Sequence, residues 1–282
     1  MTAAIDRAIV PIAGLATRMG PLCRAVPKAM LPLPGEDGSL SCVLHAILAE
    51  TVRAGIRQVA LILRPDHETP VRAYLSAARK DAAAALPDEV RYIRQPRPEG
   101  FGAAVLRAEA FTDGRPFLLK LGDHLHLSDP GEPPCTAQLL DAFASRKAVA
   151  MVGVQTVGEQ ELAKVGVCAG EPLDGRVYRC RALAEKPSLQ QARRELATPG
   201  LPEGTWLAHN GLYAFSAEIF DCLREIAEQD SGEGELELAA AQQRLLQLHP
   251  GDYLLHRSAG VAMDTGSPPG YLRAFASLLG RA

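Results

Sequence analysis

Several charged and amide residues stand where their types and spacing suit phosphate and metal chemistry. Arg18 and Lys28 lie ten residues apart in a stretch, Gly14 to Leu33, that also holds Pro21, Pro27 and Pro32. No long helix can run through so many prolines. Arg18 is a permanent cation able to grip phosphate oxygens with two donors. Lys28, between Pro27 and Ala29, is a second cation on a stiffened loop. Gln95 opens a Q-P-R-P-E-G segment. Its planar amide presents one donor and one acceptor, which suits the paired edge of a uracil or thymine ring. Gly100 and Gly102 leave room there for a flat base. Asp123 follows an apolar run and Gly122, a position suited to Mg²⁺. Asp264, in A-M-D-T-G, offers a second oxygen ligand. Lys186, in E-K-P, suits a second phosphate, and Asn210 beside Gly211 suits a sugar hydroxyl. Each residue also has a plainer reading as a solvated charge, a turn Asp or part of a Pro-rich connection.

The chain has 282 residues, 30 Lys plus Arg, 33 Asp plus Glu and a formal charge of −3. A pI of about 6.2 leaves no basic field for a nucleic-acid backbone. Any bound phosphate must be neutralised locally. The Walker pattern GxxxxGK[ST] is absent, and Ala16 between Gly14 and Gly20 breaks the dinucleotide pattern GxGxxG. This disfavours a nicotinamide-dependent oxidoreductase. His124 and His126 form an H-x-H pair that a strand or loop edge explains more simply than metal ligation. The six cysteines have no C-x-x-C spacing and read as reduced thiols of a cytoplasmic protein. No stretch approaches the ~20 apolar residues of a membrane span, and the N-terminus lacks the order of a secretory signal.

The elements that must position these residues alternate. Apolar runs predict strands at Ala8–Ile12, Gln58–Leu63, Val90–Arg94 and Phe117–Leu121. Between them the pattern predicts helices over Ser39–Ala54, capped by Ser39 or Ser41 and stopped by Gly55, over Asp66–Ala85 and over Gly102–Ala110. Such alternation implies an α/β fold, a Rossmann-like, mostly parallel sheet with helices on both faces. Right-handed crossovers place the carboxyl ends of its strands on one edge, where ligands bind. The loops after Ile12, Ile93 and Leu121 converge on that edge. The C-terminal half reads as β-rich from Val165 to Leu183. A further strand is expected at Trp206–Phe215, a loop at Asp230–Glu235, and short strands at Tyr253–Arg257 and Gly260–Met263. Helices are expected over Thr136–Ser145, Ala217–Ala227, Glu237–Leu248 and Pro269–Leu279. No linker splits the chain, so residues 1–282 are expected to form one domain, with the nucleotide part in 1–135 and the sugar-phosphate part in 136–282.

Taken together, IVPIAGLATRM, KAMLPL, QPRPEGFGAAV, LGDHL, KVGV, AEKP, HNGLYAFSAEIF, GELEL and MDTG resemble, in order, the sugar-1-phosphate nucleotidyltransferases. The nearest branch is that of the glucose-1-phosphate uridylyltransferases; the Q-P-x-P-x-G form is also similar to the thymidylyltransferases. The resemblance implies an enzyme that moves a nucleotidyl group from UTP or dTTP to a hexose 1-phosphate with Mg²⁺. It implies Ala13, Gly14, Gln95 and Gly100 at the nucleotide, with Arg18 and Lys28 on its triphosphate. Asp123 and Asp264 would hold the metal. Gly166, Glu185 and Asn210 would meet the sugar, and Lys186 its phosphate. No nucleic acid or membrane is implied, and a homo-oligomer is left open. Ala16 stands where the family has a second Gly, which requires a negative φ or a shifted backbone. Ala29 stands in place of Glu, and Pro34 to Gly38 replaces an acidic-Lys-Pro turn. A non-catalytic sensor of nucleotide or sugar phosphate is the alternative these changes suggest.

Overall fold

Arg7–Pro11 and Gln58–Leu63 are apolar with little alternation, as strands covered on both faces must be, and nearly every residue in them is buried. Glu89–Arg94 alternates more and is the more exposed strand. The three run parallel in the order Glu89–Arg94, Gln58–Leu63, Arg7–Pro11. This computed structural model describes residues 5–35, 39–81, 84–229 and 234–280. The chain divides into two compact units, each gathered from separate stretches. One contains Asp6–Pro98, Lys120–Ala137 and Gly260–Ala282; the other contains Glu99–Leu119 and Gln138–Ala259. The units interleave along the sequence, so neither coincides with residues 1–135 or 136–282.

In the first unit the expected proline-rich stretch has no long helix. It holds short helical turns at Thr17–Met19, Leu22–Ala25 and Lys28–Met30. The helix expected over Ser39–Ala54 begins later, at Val43, and ends at Arg53. Leu40–Cys42 is instead a strand paired with Pro32–Pro34, and neither Ser39 nor Ser41 caps the helix. Gly55 does stop it, at a φ of +95° that other residues adopt only with strain. The helix expected over Asp66–Ala85 spans Pro65–Ala78. A second antiparallel pair joins His124–Ser128 to Gly260–Asp264. Beneath it lies a buried ionic group: Lys120, fully buried, pairs with Glu50, which also accepts from the Thr136 amide at 2.8 Å and from its hydroxyl at 2.5 Å. Burial would push the Glu50 carboxyl up. The charges of Lys120 and His126 and these hydrogen bonds outweigh it and hold the carboxyl below its ordinary value.

The second unit is β-rich, as expected of the C-terminal half. Its strands lie in the order Phe117–Lys120, Thr205–Phe215, Ala150–Gly158, Tyr253–His256, Val177–Glu185, Gly166–Asp174. Tyr253–His256 runs parallel to Ala150–Gly158, and the long hairpin Gly166–Asp174/Val177–Glu185 is antiparallel. The helix expected over Gly102–Ala110 is two short pieces, Phe101–Leu106 and Glu109–Thr112. A helix at Leu189–Glu195, capped by Ser188, was not expected. It packs Ala192 and Leu196 on Trp206, whose indole N–H donates to the Ala192 carbonyl at 3.1 Å. The loop expected at Asp230–Glu235 falls largely outside the described residues. The α/β class is the one the alternation implies. Among the described residues all six cysteines are free and buried, and no helix is long and apolar enough to cross a membrane.

Candidate active site

The strand pairing of the first unit explains how carboxylates far apart in sequence meet. Gly260–Asp264 runs antiparallel to His124–Ser128 with Asp264 opposite His124. Thr265 extends the tie, because both its amide and its hydroxyl donate to the Asp123 carbonyl at 2.8 Å. Gly122 allows the other approach. A Cβ there would stand 2.5 Å from the Pro11 carbonyl oxygen, so only glycine lets the Asp123 turn rest on the end of Arg7–Pro11.

Around the Asp123 carboxylate, Lys28 Nζ forms an ion pair with Oδ2 and His124 Nδ1 lies 2.9 Å from Oδ1. Asp264 Oδ1 accepts from the Gly266 amide at 2.5 Å. Gly266 marks the centre of the cluster. A Cβ on it would lie 2.7 Å from Asp264 Oδ1, 2.8 Å from Asp123 Oδ2 and 3.3 Å from Arg18 Nη2. Arg18, Lys28, Asp123 and Asp264 are therefore brought together, as the sequence led us to expect. Burial would raise the Asp123 carboxyl; the His124 hydrogen bond and the charges of Lys28 and His124 overcome this and hold it far below the usual carboxylate range. Burial works against a charged His124, but its bond to Asp123 and the charges of Asp123 and Asp264 keep its pKa above the ordinary value.

One ligand atom each from Asp123, His124 and Asp264 lies within 4.8 Å of the others. Two hard carboxylate oxygens beside an imidazole fit a divalent cation that leaves further positions to phosphate and water. His124 was passed over in the sequence because H-x-H is common at strand edges. The signal that could have found it is its position directly after Asp123.

The nucleotide-side residues are placed less uniformly. Ala13 is partly buried, and Gly14 is exposed with open space where a Cβ would be. Ala16 sits at φ 51°, ψ 34°, in the left-handed region, so the negative φ that was one of its two alternatives is not adopted. Such a backbone costs an L-residue about 1–2 kcal/mol. Gln95 is buried, and its main-chain N–H extends the parallel pairing by donating to the Leu63 carbonyl at 2.8 Å.

The remaining site residues belong to the second unit. Gly100, at φ +100°, has the Leu236 main chain where a Cβ would go, at 2.5 Å from its oxygen. Gly102 donates its amide to that same oxygen at 2.7 Å, and the Leu236 amide donates to the Glu99 carbonyl at 2.9 Å. The space beside these glycines, expected to admit a base, is taken by backbone. Gly166 pairs with Glu185 across the hairpin. A Cβ on Gly166 would meet His209 Nδ1 at 2.7 Å and Glu185 Oε2 at 3.0 Å. Lys186 follows at φ 47°, anchored by its amide to the Val165 carbonyl at 3.1 Å, with an exposed side chain whose Nζ is 3.4 Å from Glu185. A left-handed lysine is a strained position of the kind found at functional sites. Asn210 is buried; its Oδ1 accepts from the Leu212 amide at 3.2 Å and lies against Gly153. That side-chain oxygen serves the irregularity at which the Thr205–Phe215 strand shifts register between His209 and Tyr213. His209, unremarked in the sequence, stands between Gly166 and Cys168, with Nε2 3.0 Å from the Cys168 sulfur. Burial pushes its pKa down to about 4, so it is neutral at pH 7.

A sequence model of the family described as nucleotidyl transferase matches residues 7–281. The chain is 29% identical to a UTP–glucose-1-phosphate uridylyltransferase of Bacillus subtilis (strain 168), over 95% of this chain and 89% of that protein. It is 30% identical to a UTP–glucose-1-phosphate uridylyltransferase of Streptococcus pneumoniae, over 84% of this chain and 79% of that one. Among solved structures, a UDP-glucose pyrophosphorylase complexed with UDP-glucose superposes with a TM-score of 0.80 at 24% identity, covering 99% of this chain and 100% of that one. That likeness is one of fold.

Proposed function

This chain belongs to the nucleotidyl transferase family, and from that premise we propose that it transfers a uridylyl group from UTP to a hexose 1-phosphate, glucose 1-phosphate first, releasing pyrophosphate. The observation that carries the reading is the convergence of Arg18, Lys28, Asp123 and Asp264, drawn from near both ends and the middle of the chain. Two cations beside two carboxylates suit a metal-bearing triphosphate.

The chemistry follows from charge. A phosphate oxygen of the sugar phosphate attacks the α-phosphorus of UTP, a new P–O bond forms, and the bond to pyrophosphate breaks. Phosphomonoesters have a second pKa of ~6, so the attacking oxygen is already largely ionised and needs no general base. What the protein must do is orient two polyanions and neutralise them. Asp123 and Asp264 would hold Mg²⁺, which when bound offsets triphosphate charge. Arg18 and Lys28 bind triphosphate oxygens, and Lys28 leaves its ion pair with Asp123 to do so. Lys186 takes the sugar phosphate, with Gly166, Glu185 and Asn210 toward the hexose. Ala13, Gly14 and Gln95 serve the nucleotide, whereas the Leu236 main chain takes the space beside Gly100. Free cysteines support work in a reducing compartment, the cytoplasm.

The test is pyrophosphate release from UTP or dTTP with glucose 1-phosphate and Mg²⁺. The expected result is turnover with UTP. Uracil and thymine differ by one methyl group, which typically yields only ~10–200-fold selectivity, so dTTP is the informative competitor. No release with any nucleoside triphosphate and any common hexose 1-phosphate overturns the proposal. Tight calorimetric binding without turnover would establish the sensor instead.

A further inference from the structure

We propose that His124 is a nitrogen ligand of the metal centre and makes it select Mn²⁺ or a similar borderline cation over Mg²⁺. The inference rests on the nucleotidyl-transfer reading only for the presence of a metal; the identity of the donors comes from the strand pairing. His124 is fixed by backbone on two sides. It follows Asp123, whose carbonyl is held by Thr265, and it stands directly opposite Asp264 in the antiparallel ladder. Its ring is 2.9 Å from Asp123 Oδ1, and its ligand atom lies within 4.8 Å of those of Asp123 and Asp264. A cation bound there would displace the proton that the ring shares with Asp123, freeing the nitrogen lone pair for the metal.

The chemical consequence lies in the donor set. Carboxylates and water suit Mg²⁺, which accepts imidazole poorly. Imidazole suits several first-row divalent metals, and of the cations that carboxylates and water suit, Mn²⁺ belongs to that first-row series while Mg²⁺ does not. A third donor on a rigid ladder adds affinity for Mn²⁺ and little for Mg²⁺. His126, two residues on, belongs to the buried Glu50–Lys120 group and does not enter this site. The H-x-H pair therefore divides between one ligand and one structural residue.

The deciding measurement is electron spin echo spectroscopy on the full chain loaded with Mn²⁺, alone and with UTP, beside Mn²⁺/Mg²⁺ competition titrations. A single strong ¹⁴N coupling is expected in the wild type, with Mn²⁺ bound at least about tenfold more tightly than Mg²⁺, the scale on which ligand-shell changes alter affinity. In His124→Gln the coupling should vanish and the preference should collapse, with Mg²⁺ affinity changed far less. A wild-type Mn²⁺ site with no nitrogen coupling overturns the proposal, whatever the variant does. Turnover with Mg²⁺ is followed in parallel. Turnover without nitrogen coupling removes His124 alone, whereas nitrogen coupling without turnover under any metal leaves His124 in place and removes the transferase reading.

Discussion

Gly266→Ala isolates the geometry of the aspartate cluster from the stability of the fold. The added Cβ would stand 2.7 Å from Asp264 Oδ1 and 2.8 Å from Asp123 Oδ2, where ordinary contact begins at 3.4 Å. The two carboxylates must therefore retreat by roughly 0.6–0.7 Å in all directions open to them, since atoms below that contact distance repel steeply. Neither retreat is free. Asp123 is held by Lys28 and His124, and Asp264 by the Gly266 amide itself. Mg²⁺ demands near-ideal octahedral geometry, and a displacement of this size at a reacting centre costs on the order of 10–100-fold in rate. The backbone is not the obstacle, because Gly266 is not among the positive-φ residues. Replacing such a glycine by alanine gains about 0.4–1 kcal/mol through the unfolded chain, which offsets part of the local strain. The expected outcome is a kcat reduced about 10–100-fold and weakened metal binding, with thermal unfolding within a few degrees of the wild type. Pyrophosphate release against metal concentration, beside a thermal melt, reads both. A folded Gly266→Ala protein with wild-type turnover and wild-type metal dependence would refute the reasoning.

Three further outcomes are expected. Lys186→Ala should raise the KM for glucose 1-phosphate and leave UTP affinity largely intact in calorimetry; equal loss of both would contradict the role assigned to it. Lys120→Met leaves Glu50 buried without its cation, which should destabilise the fold by about 3–5 kcal/mol in urea titrations, and a loss below about 1 kcal/mol, typical of exposed pairs, would argue that water reaches Glu50. Burial pushes His209 down to about 4, and burial with the charge of Arg176 does the same for His256, from 6.5 in the unfolded chain. Between those values the unfolded chain binds more protons than the folded one. Stability should thus fall as pH drops from 6.5 toward 4, by at most about 1.4 kcal/mol per pH unit for each histidine. The double variant His209→Gln/His256→Gln should flatten that slope, and an equally steep slope in it would assign the effect elsewhere.

Much of this protein was legible in one dimension. Gln58–Leu63 was read with its observed bounds because an apolar run between polar punctuation is a local signal, and burial follows from it directly. Arg18, Lys28, Asp123 and Asp264 were legible as charges at the ends of such runs, where a parallel sheet presents its loops. Other features depend on partners the local pattern does not name. Leu40–Cys42 looked helical because nothing in its own residues announces the Pro32–Pro34 strand beside it. Gly100 and Gly102 looked like room for a base, and the Leu236 main chain occupies that room from far along the chain. Ala16 left a negative φ or a shifted backbone open from the sequence; the loop holds it at +51°. His124, set aside in the sequence as one half of an H-x-H pair, gained weight as a ligand from its register opposite Asp264. Side-chain periodicity reports which face a residue takes, and composition reports what chemistry it can do. Which two strands pair, and in what register, depends on contacts between distant segments, and it was that pairing that joined two aspartates and a histidine in one place.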